Sequence, residues 1–132
     1  MNTTYFLNLV AGNLYGTKKS PAIPTKYYLG LSKSTPNVSG GNVTEPTGGA
    51  YTRVELTGLS APSNGEVSNS AQINFPESTA NWGTVTHFVV YDALSGGNLL
   101  CFGALPAQRT VESDTVMSIK SGYLKLSVKN AS

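Results

Sequence analysis

Charged side chains are scarce in this sequence. Nine Lys and Arg and seven Asp and Glu make up 12% of the 132 residues, about half of the roughly 25% that is usual in globular proteins. The formal net charge is +2, and only Lys18 and Lys19 are adjacent basic residues. A nucleic-acid-binding surface needs clustered cations along the phosphate backbone. The scarcity of charge therefore predicts that nucleic acid is not a partner.

Reactive side chains are equally few. Cys101 is the only cysteine, so no internal disulfide can form, and its apolar neighbours favour a small buried side chain over a reactive thiol. His87 is the only histidine, and a catalytic triad or a His-based metal site would have to include it. It lies in a predicted strand, where a locally hydrogen-bonded histidine is the favoured interpretation. Paired cysteines, a nucleophile elbow and a phosphate-binding loop motif are all absent.

The carboxylates and glycines do not indicate a site either. Glu112 and Asp114 are the closest acidic pair, but a Ca²⁺ site needs six to eight oxygens, so a solvated loop is favoured. The three glycine pairs lie in turns, without the strand-to-helix context of anion-binding loops; they are Gly40-Gly41, Gly48-Gly49 and Gly96-Gly97. We identify no catalytic, metal or cofactor-binding residue, and we predict that the protein is not an enzyme.

Long apolar runs are also lacking. No stretch approaches the roughly 20 residues that span a bilayer, and the apolar segment 5–10 has neither a preceding basic region nor a cleavage signature. We therefore expect no membrane association and no signal peptide. The length predicts a single domain, residues 1–132, with an N-terminal helix and linker (1–20) and a β-sandwich (21–132).

The N-terminal segment is the best helix candidate. Phe6, Leu9, Val10 and Leu14 recur at helical spacing, Asn2 or Thr3 can serve as the N-cap, and Gly16 provides a stop. Polar residues 17–20 and two prolines, Pro21 and Pro24, follow. A helix this short is not stable alone, so we expect it to pack on the domain or on a neighbouring subunit.

The rest of the chain is rich in strand and turn signals. Residues 34–50 contain glycines and prolines without periodicity and predict a long loop, whose length suggests a contact role. The predicted strands are 27–31, 51–57, 67–75, 85–91, 99–105, 115–119 and 123–128. In 51–57 we expect Thr52, Val54 and Leu56 to share one face. Strand 85–91 is apolar on both faces and should be central.

The sequence also predicts where one strand ends and which two strands pair. Pro106 should end strand 99–105, and the last two strands should form a hairpin about residues 120–122. Together the pattern predicts a mainly β fold, an antiparallel β-sandwich of the jelly-roll or immunoglobulin-like kind with one short N-terminal helix. The strand order does not follow from the sequence.

The aromatic residues allow two interpretations. Trp82 either plugs one end of the sandwich, which we favour, or offers a platform for sugar stacking. Four tyrosines also allow two interpretations, since each could lie at the edge of the core or in a subunit interface, where tyrosine is enriched. They are Tyr27, Tyr28, Tyr51 and Tyr123.

Several segments, in order along the chain, resemble a family of short tailed-bacteriophage virion proteins usually labelled phage tail fibre proteins. They are YLGLS (28–32), VTEPTGGAYTRV (43–54), SNSA (68–71), INFP (73–76), NWGTVTHF (81–88), DA (92–93), GGNLL (96–100) and FGAL (102–105). The resemblance implies a structural role in the virion and provides no catalytic residues. Residues 107–120 follow the family least closely.

We predict a capsid decoration protein that stabilises the shell through many identical contacts, made by the helix and loop 34–50. The alternative is a tail-fibre or receptor-binding module that recognises a glycan on the host surface through Trp82 and the tyrosines. In either case the expected partners are other virion proteins, the major capsid protein or tail components. By analogy with β-rich surface proteins we also expect a homo-oligomer, such as a trimer, made in the bacterial host cytoplasm and located on the virion surface.

Overall fold

The computed structural model describes residues 1–16 and 22–128. This part of the chain contains one helix, α1 (Thr4–Tyr15), and eight strands, which pair only in antiparallel ladders. The strands are β1 (Tyr28–Ser32), β2 (Val54–Glu55), β3 (Glu66–Ser68), β4 (Ile73–Asn74), β5 (Gly83–Tyr91), β6 (Leu99–Val111), β7 (Ser118–Ile119) and β8 (Lys125–Ser127). The predicted mainly β, antiparallel fold with one short N-terminal helix is confirmed.

Helix α1 has the predicted ends. Thr3 is the N-cap, and its hydroxyl accepts a hydrogen bond from the Phe6 amide at 3.2 Å. At the other end the Gly16 amide bonds to the Gly12 carbonyl. Leu9 is its buried residue, and the partly buried Tyr5 and Phe6 pack against the main core. The predicted linker after the helix lies outside the described residues.

Strand β5 is central in a four-stranded sheet, as its two apolar faces predicted. The strand order is β2-β1-β5-β6. Phe88 and Val90 face the main core, while Val89 and Tyr91 belong to a smaller cluster on the opposite face. Val43 from loop 34–50 packs on that second cluster, so the loop, which contains no strand, covers one face of the sheet.

The predicted C-terminal hairpin is wrong. Strand β7 pairs with β4, and β8 pairs with β3, in two separate two-stranded sheets. Asn69 determines this arrangement, because its amide bonds to the Leu124 carbonyl and its carbonyl accepts from the Gly122 amide. The turn after β7 is thereby tied to a distant segment instead of folding β8 back onto β7.

Two other predicted strands are shorter than expected. Segment 67–75 divides into β3 and β4 where the Asn69 side chain bonds to the Ala71 carbonyl at 2.8 Å. Segment 51–57 pairs only at Val54–Glu55, and the predicted faces are wrong at Thr52, which is exposed, and Arg53, which is buried. Arg53 is buried because polar groups of other segments surround it.

Pro106 does not end β6, which continues to Val111. The ladder pairs His87 with Ala104 and then Val85 with Arg109. Residues 105–108 of β6 therefore bulge opposite a single residue of β5, Thr86. Proline is tolerated in a bulge because no ladder hydrogen bond is needed there.

The main core lies between the four-stranded sheet and the two short sheets, which is the arrangement of a sandwich. Its buried members come from both layers, among them Leu29, Leu31, Val85, Leu100, Ile119 and Leu124. The residues before α1 cover part of the outer edge of β6, with the Thr3 amide 2.9 Å from the Leu100 carbonyl and the Phe102 amide 2.9 Å from the Met1 carbonyl. This pairing protects the edge.

Candidate interaction surfaces

The most concentrated group of polar contacts surrounds Arg53. Its Nε and Nη2 donate to the two carboxylate oxygens of Glu45 at 3.1 and 2.7 Å, and its Nη1 donates to the carbonyls of Ala93 and Gly96 at 2.8 and 2.7 Å. The guanidinium also lies over the ring of Tyr91, 3.6 Å from the centroid. All three guanidinium nitrogens are therefore in use, and Arg53 joins loop 34–50 and turn 92–98 to the sheet.

Tyr51 extends this network into the sheet. Its hydroxyl donates to Glu45 at 2.6 Å and accepts from the Leu31 amide at 3.0 Å. Gly30 leaves the room for these groups, since a Cβ there would lie 2.8 Å from the Tyr51 hydroxyl and 2.9 Å from a Glu45 oxygen. Burial and the adjacent Glu45 carboxylate raise the pKa of Tyr51, so the phenol stays neutral and donates.

The electrostatics of Glu45 fit a structural role. Burial alone would raise the pKa of Glu45, but hydrogen bonds from Arg53 and Tyr51 together with the Arg53 charge leave it below its ordinary value. The carboxylate is therefore ionised, and both its oxygens are already bonded to protein groups. This carboxylate, which accepts three hydrogen bonds from Tyr51 and Arg53, links loop 34–50 to the sheet.

Trp82 lies in the interior. Its side chain belongs to the main core with 2% exposure, its Nε1 donates to the Gly49 carbonyl at 2.8 Å, and its ring meets Tyr51 edge to face at 5.2 Å. Sugar stacking requires an exposed ring face, so the sugar-platform interpretation of Trp82 is wrong and the packing role is confirmed.

His87 and Cys101 are both in strands and show no catalytic geometry. His87 is half-buried, with its Nδ1 2.8 Å from the Thr86 hydroxyl. Cys101 is half-buried in the wall of an apolar groove of about 380 Å³ that also contains Phe6 and Leu126. Burial raises the pKa of the Cys101 thiol to about 11, so it is a thiol and not a reactive thiolate at neutral pH.

Glu112 and Asp114 are exposed in the predicted loop. The loop is held by its backbone, with the Thr115 amide donating to the Ser78 hydroxyl at 3.0 Å and the Asp114 amide to the Ser78 carbonyl at 2.7 Å. In residues 1–16 and 22–128, no three His, Cys, Asp or Glu side chains gather as metal ligands would.

Helix α1 presents an apolar surface to solvent. Leu7, Ala11, Leu14 and Tyr15 follow helical spacing and are all exposed, Leu14 by 61% and Tyr15 by 88%. We refer to these four residues as the helix stripe. No charged side chain occurs in α1, so a partner of this surface would be held by apolar contact.

A second surface lies at the far end of β6. Its apolar floor contains Leu105, Met117 and Ile119, and its rim is formed by Pro106, Ala107, Arg109, Ser118, Lys120 and Tyr123. We refer to this depression, with a volume of about 110 Å³, as the cationic groove. Tyr123 is 58% exposed, whereas Tyr27, Tyr28 and Tyr51 are partly buried.

Sequence reasoning missed the cationic groove because its rim comes from β6, β7 and the turn after β7. Only the departure of residues 107–120 from the family pattern pointed to this region. The segments that carry the resemblance instead supply the buried network, including Gly30, Glu45, Tyr51 and Arg53.

Comparison with known proteins agrees with a phage origin. In the described part of the chain the only helix, Thr4–Tyr15, is too short to span a membrane. No curated protein matches the chain. A family model described as podophage GP4 fiber I protein gp80 matches residues 2–127, nearly the whole sequence. The chain therefore belongs to the family of the podophage GP4 fiber I protein gp80, a family of phage fibre proteins.

Proposed function

We propose that this protein is a fibre component of a bacteriophage tail, which acts by binding and not by catalysis. The observation that carries the proposal is the family match over residues 2–127. It favours the tail-fibre alternative over the capsid decoration that size and composition had suggested. The structure supports a binding role through two exposed surfaces, the apolar helix stripe and the cationic groove.

In this proposal the helix stripe is the attachment surface to other virion proteins. Leu7, Leu14 and Tyr15 expose apolar area that has no partner in the described chain, and burial of such area is favourable at roughly 25 cal/mol per Å². The partners are tail components or further copies of the chain, including a trimer. Residues 1–132 act as one unit in this arrangement.

The experiment is to locate the protein in the particle. A reconstruction of the virion, together with quantitative mass spectrometry of purified particles, gives its position and copy number. The proposal expects density at the tail and roughly a few to a few tens of copies per particle, because tail assemblies are closed symmetric oligomers. Density distributed over the shell, with hundreds of copies, would establish capsid decoration instead.

A further inference from the structure

The cationic groove has positive charge without an internal partner. Arg109 and Lys120 are exposed on its rim and form no ion pair within the described residues, where the pairs are Lys26 with Glu55 and Arg53 with Glu45. No acidic residue lines the groove. In a chain with only nine basic residues, two unpaired cations beside one concave surface favour an anionic ligand.

The rim is held in place by buried hydrogen bonds. Asn69 is 1% exposed, its Nδ2 donates to the Lys120 carbonyl at 2.9 Å, and its Oδ1 accepts from the Leu124 amide at 2.9 Å. These bonds fix both ends of the turn that carries Lys120 and Tyr123. Arg109 is fixed on the opposite side by its pairing with Val85 in the β5–β6 ladder.

The shape of the groove distinguishes between anionic ligands. The exposed Tyr123 ring beside an apolar floor is suited to the C–H face of a sugar ring, which packs on aromatic surfaces. An extended acidic peptide would instead add to the edge of β6, but Pro106 lies on this rim and has no amide hydrogen to donate. The volume of about 110 Å³ is below the roughly 300–1,000 Å³ of pockets that enclose a whole ligand, so the groove has room for a single ring lying on its surface and not for a folded segment.

From these observations we infer that the cationic groove binds an acidic sugar residue of a host-surface polysaccharide. Arg109 and Lys120 contact the carboxylate, and Tyr123 stacks on the ring. This inference rests on the proposed function, since a fibre meets the host surface. It assigns the contact to Tyr123 and two cations, in place of the buried Trp82.

Saccharide binding by the purified full-length chain tests the inference. Isothermal titration or ligand-observed NMR would compare trigalacturonate with galactotriose, and sialyllactose with lactose, so that each acidic probe has a neutral counterpart. We expect binding of at least one acidic probe, little binding of its neutral counterpart, and weaker binding as salt rises from about 0.05 to about 0.5 M.

Substitutions of groove residues test whether the saccharide binds in the cationic groove. Arg109→Gln and Lys120→Gln should each weaken binding of the acidic probe by about fivefold, the upper range for one exposed ion pair, and Tyr123→Ala by about three- to tenfold. Lys125→Gln and Leu94→Ala are matched controls, because both residues are exposed but lie outside the groove, and they should bind like the parent. Thermal unfolding verifies that each variant is folded.

Each other outcome overturns the inference. Equal binding of acidic and neutral probes removes the charge argument, and binding unaffected by the groove variants places the site elsewhere. Preferential binding of a hexaglutamate peptide shows that the groove takes an acidic protein segment, and no binding of any probe excludes the sugar ligand. The location and copy number of the protein in the particle test the fibre role separately.

Discussion

The ion pair between Glu45 and Arg53 is largely buried, which makes it important for stability. Their side chains are 21% and 7% exposed, whereas Lys26 and Glu55 form a pair on the surface with 67% and 42% exposure. Removing one partner of an ion pair that is withdrawn from water is strongly destabilising, because the other charge stays buried. The same deletion at the surface has little effect.

Glu45→Ala is therefore expected to lower the free energy of unfolding by about 2–4 kcal/mol, because Arg53 would be left in the sheet without its carboxylate. Glu55→Ala is the matched control and should lower it by less than about 1 kcal/mol. Urea titration followed by tryptophan fluorescence measures both. Similar losses in the two variants would show that burial of the pair does not matter.

The stability should also depend on pH through Glu45. Because its folded-state pKa lies below the ordinary value of 4.5, ionised Glu45 stabilises the fold fully above that value, and the contribution disappears as the pH falls through the folded-state pKa. The free energy of unfolding should decrease from about pH 5 to about pH 3, and less steeply in Glu45→Gln. A curve for Glu45→Gln parallel to that of the parent would contradict this, and Glu55→Gln is the control.

Two glycines should respond to alanine with opposite signs. A Cβ on Gly30 would meet Tyr51 and Glu45 below 3 Å, whereas nothing lies within 4 Å of a Cβ on Gly12 in α1. We expect Gly30→Ala to destabilise by about 1–3 kcal/mol and Gly12→Ala to stabilise by about 0.5–1 kcal/mol. Thermal unfolding of the two variants measures both signs, and a neutral Gly30→Ala would show that the network can shift.

At the scale of elements, helix α1 depends on the edge of β6. Thr3 is fully buried, and its hydroxyl lies 2.7 Å from the Leu99 carbonyl while accepting from the Phe6 amide. One side chain thus caps the helix and fastens it to the sheet. This explains how a 12-residue helix, too short to be stable alone, keeps a fixed position.

Thr3→Ala should therefore lower the free energy of unfolding by about 1–2 kcal/mol, since it removes the N-cap and a buried hydrogen bond. Thr4→Ala, one residue later and exposed, should leave it nearly unchanged. Amide hydrogen exchange of α1 provides the second measurement, because protection in the helix should fall in Thr3→Ala. Unchanged exchange would show that backbone pairing with β6 and the packing of Tyr5 and Phe6 hold the helix without the Thr3 hydroxyl.

At the scale of the whole molecule, the two candidate surfaces lie at different ends of β6. The segment before α1 pairs at residues 100–102. On β5 the ladder partners of Phe102 and Arg109 are Val89 and Val85, which are four residues apart, roughly 13 Å along the strand. The helix stripe is apolar and α1 has no charged side chain, whereas the groove is cationic. A fibre subunit with separate surfaces for the particle and for the host would have this division.

If the helix stripe is the attachment surface, Leu14→Gln should lower incorporation into particles while leaving the fold intact, because Leu14 is 61% exposed. Complementation of a phage that lacks the gene, followed by quantification of the protein in purified particles, measures this. Leu94→Gln, at an exposed leucine outside the helix stripe, is the control. Attachment by the parent chain should survive about 1 M salt, and release by salt would contradict an apolar contact.

The sequence by itself determined the features that depend on local patterns. Periodicity and capping residues located α1, and the apolar faces of β5 made it central. These inferences hold because helix caps, strand alternation and turns are set by residues close together in the chain.

Tertiary structure alone decided which segments meet. Asn69 assigned β7 and β8 to different partners, Arg53 was buried against the sequence pattern because Glu45 and two carbonyls surround it, and Pro106 was tolerated because a bulge made its amide unnecessary. Each outcome depends on hydrogen bonds between segments distant in sequence, which no local window contains. The cationic groove belongs to the same class, since β6, β7 and the turn after β7 form it only once they are packed.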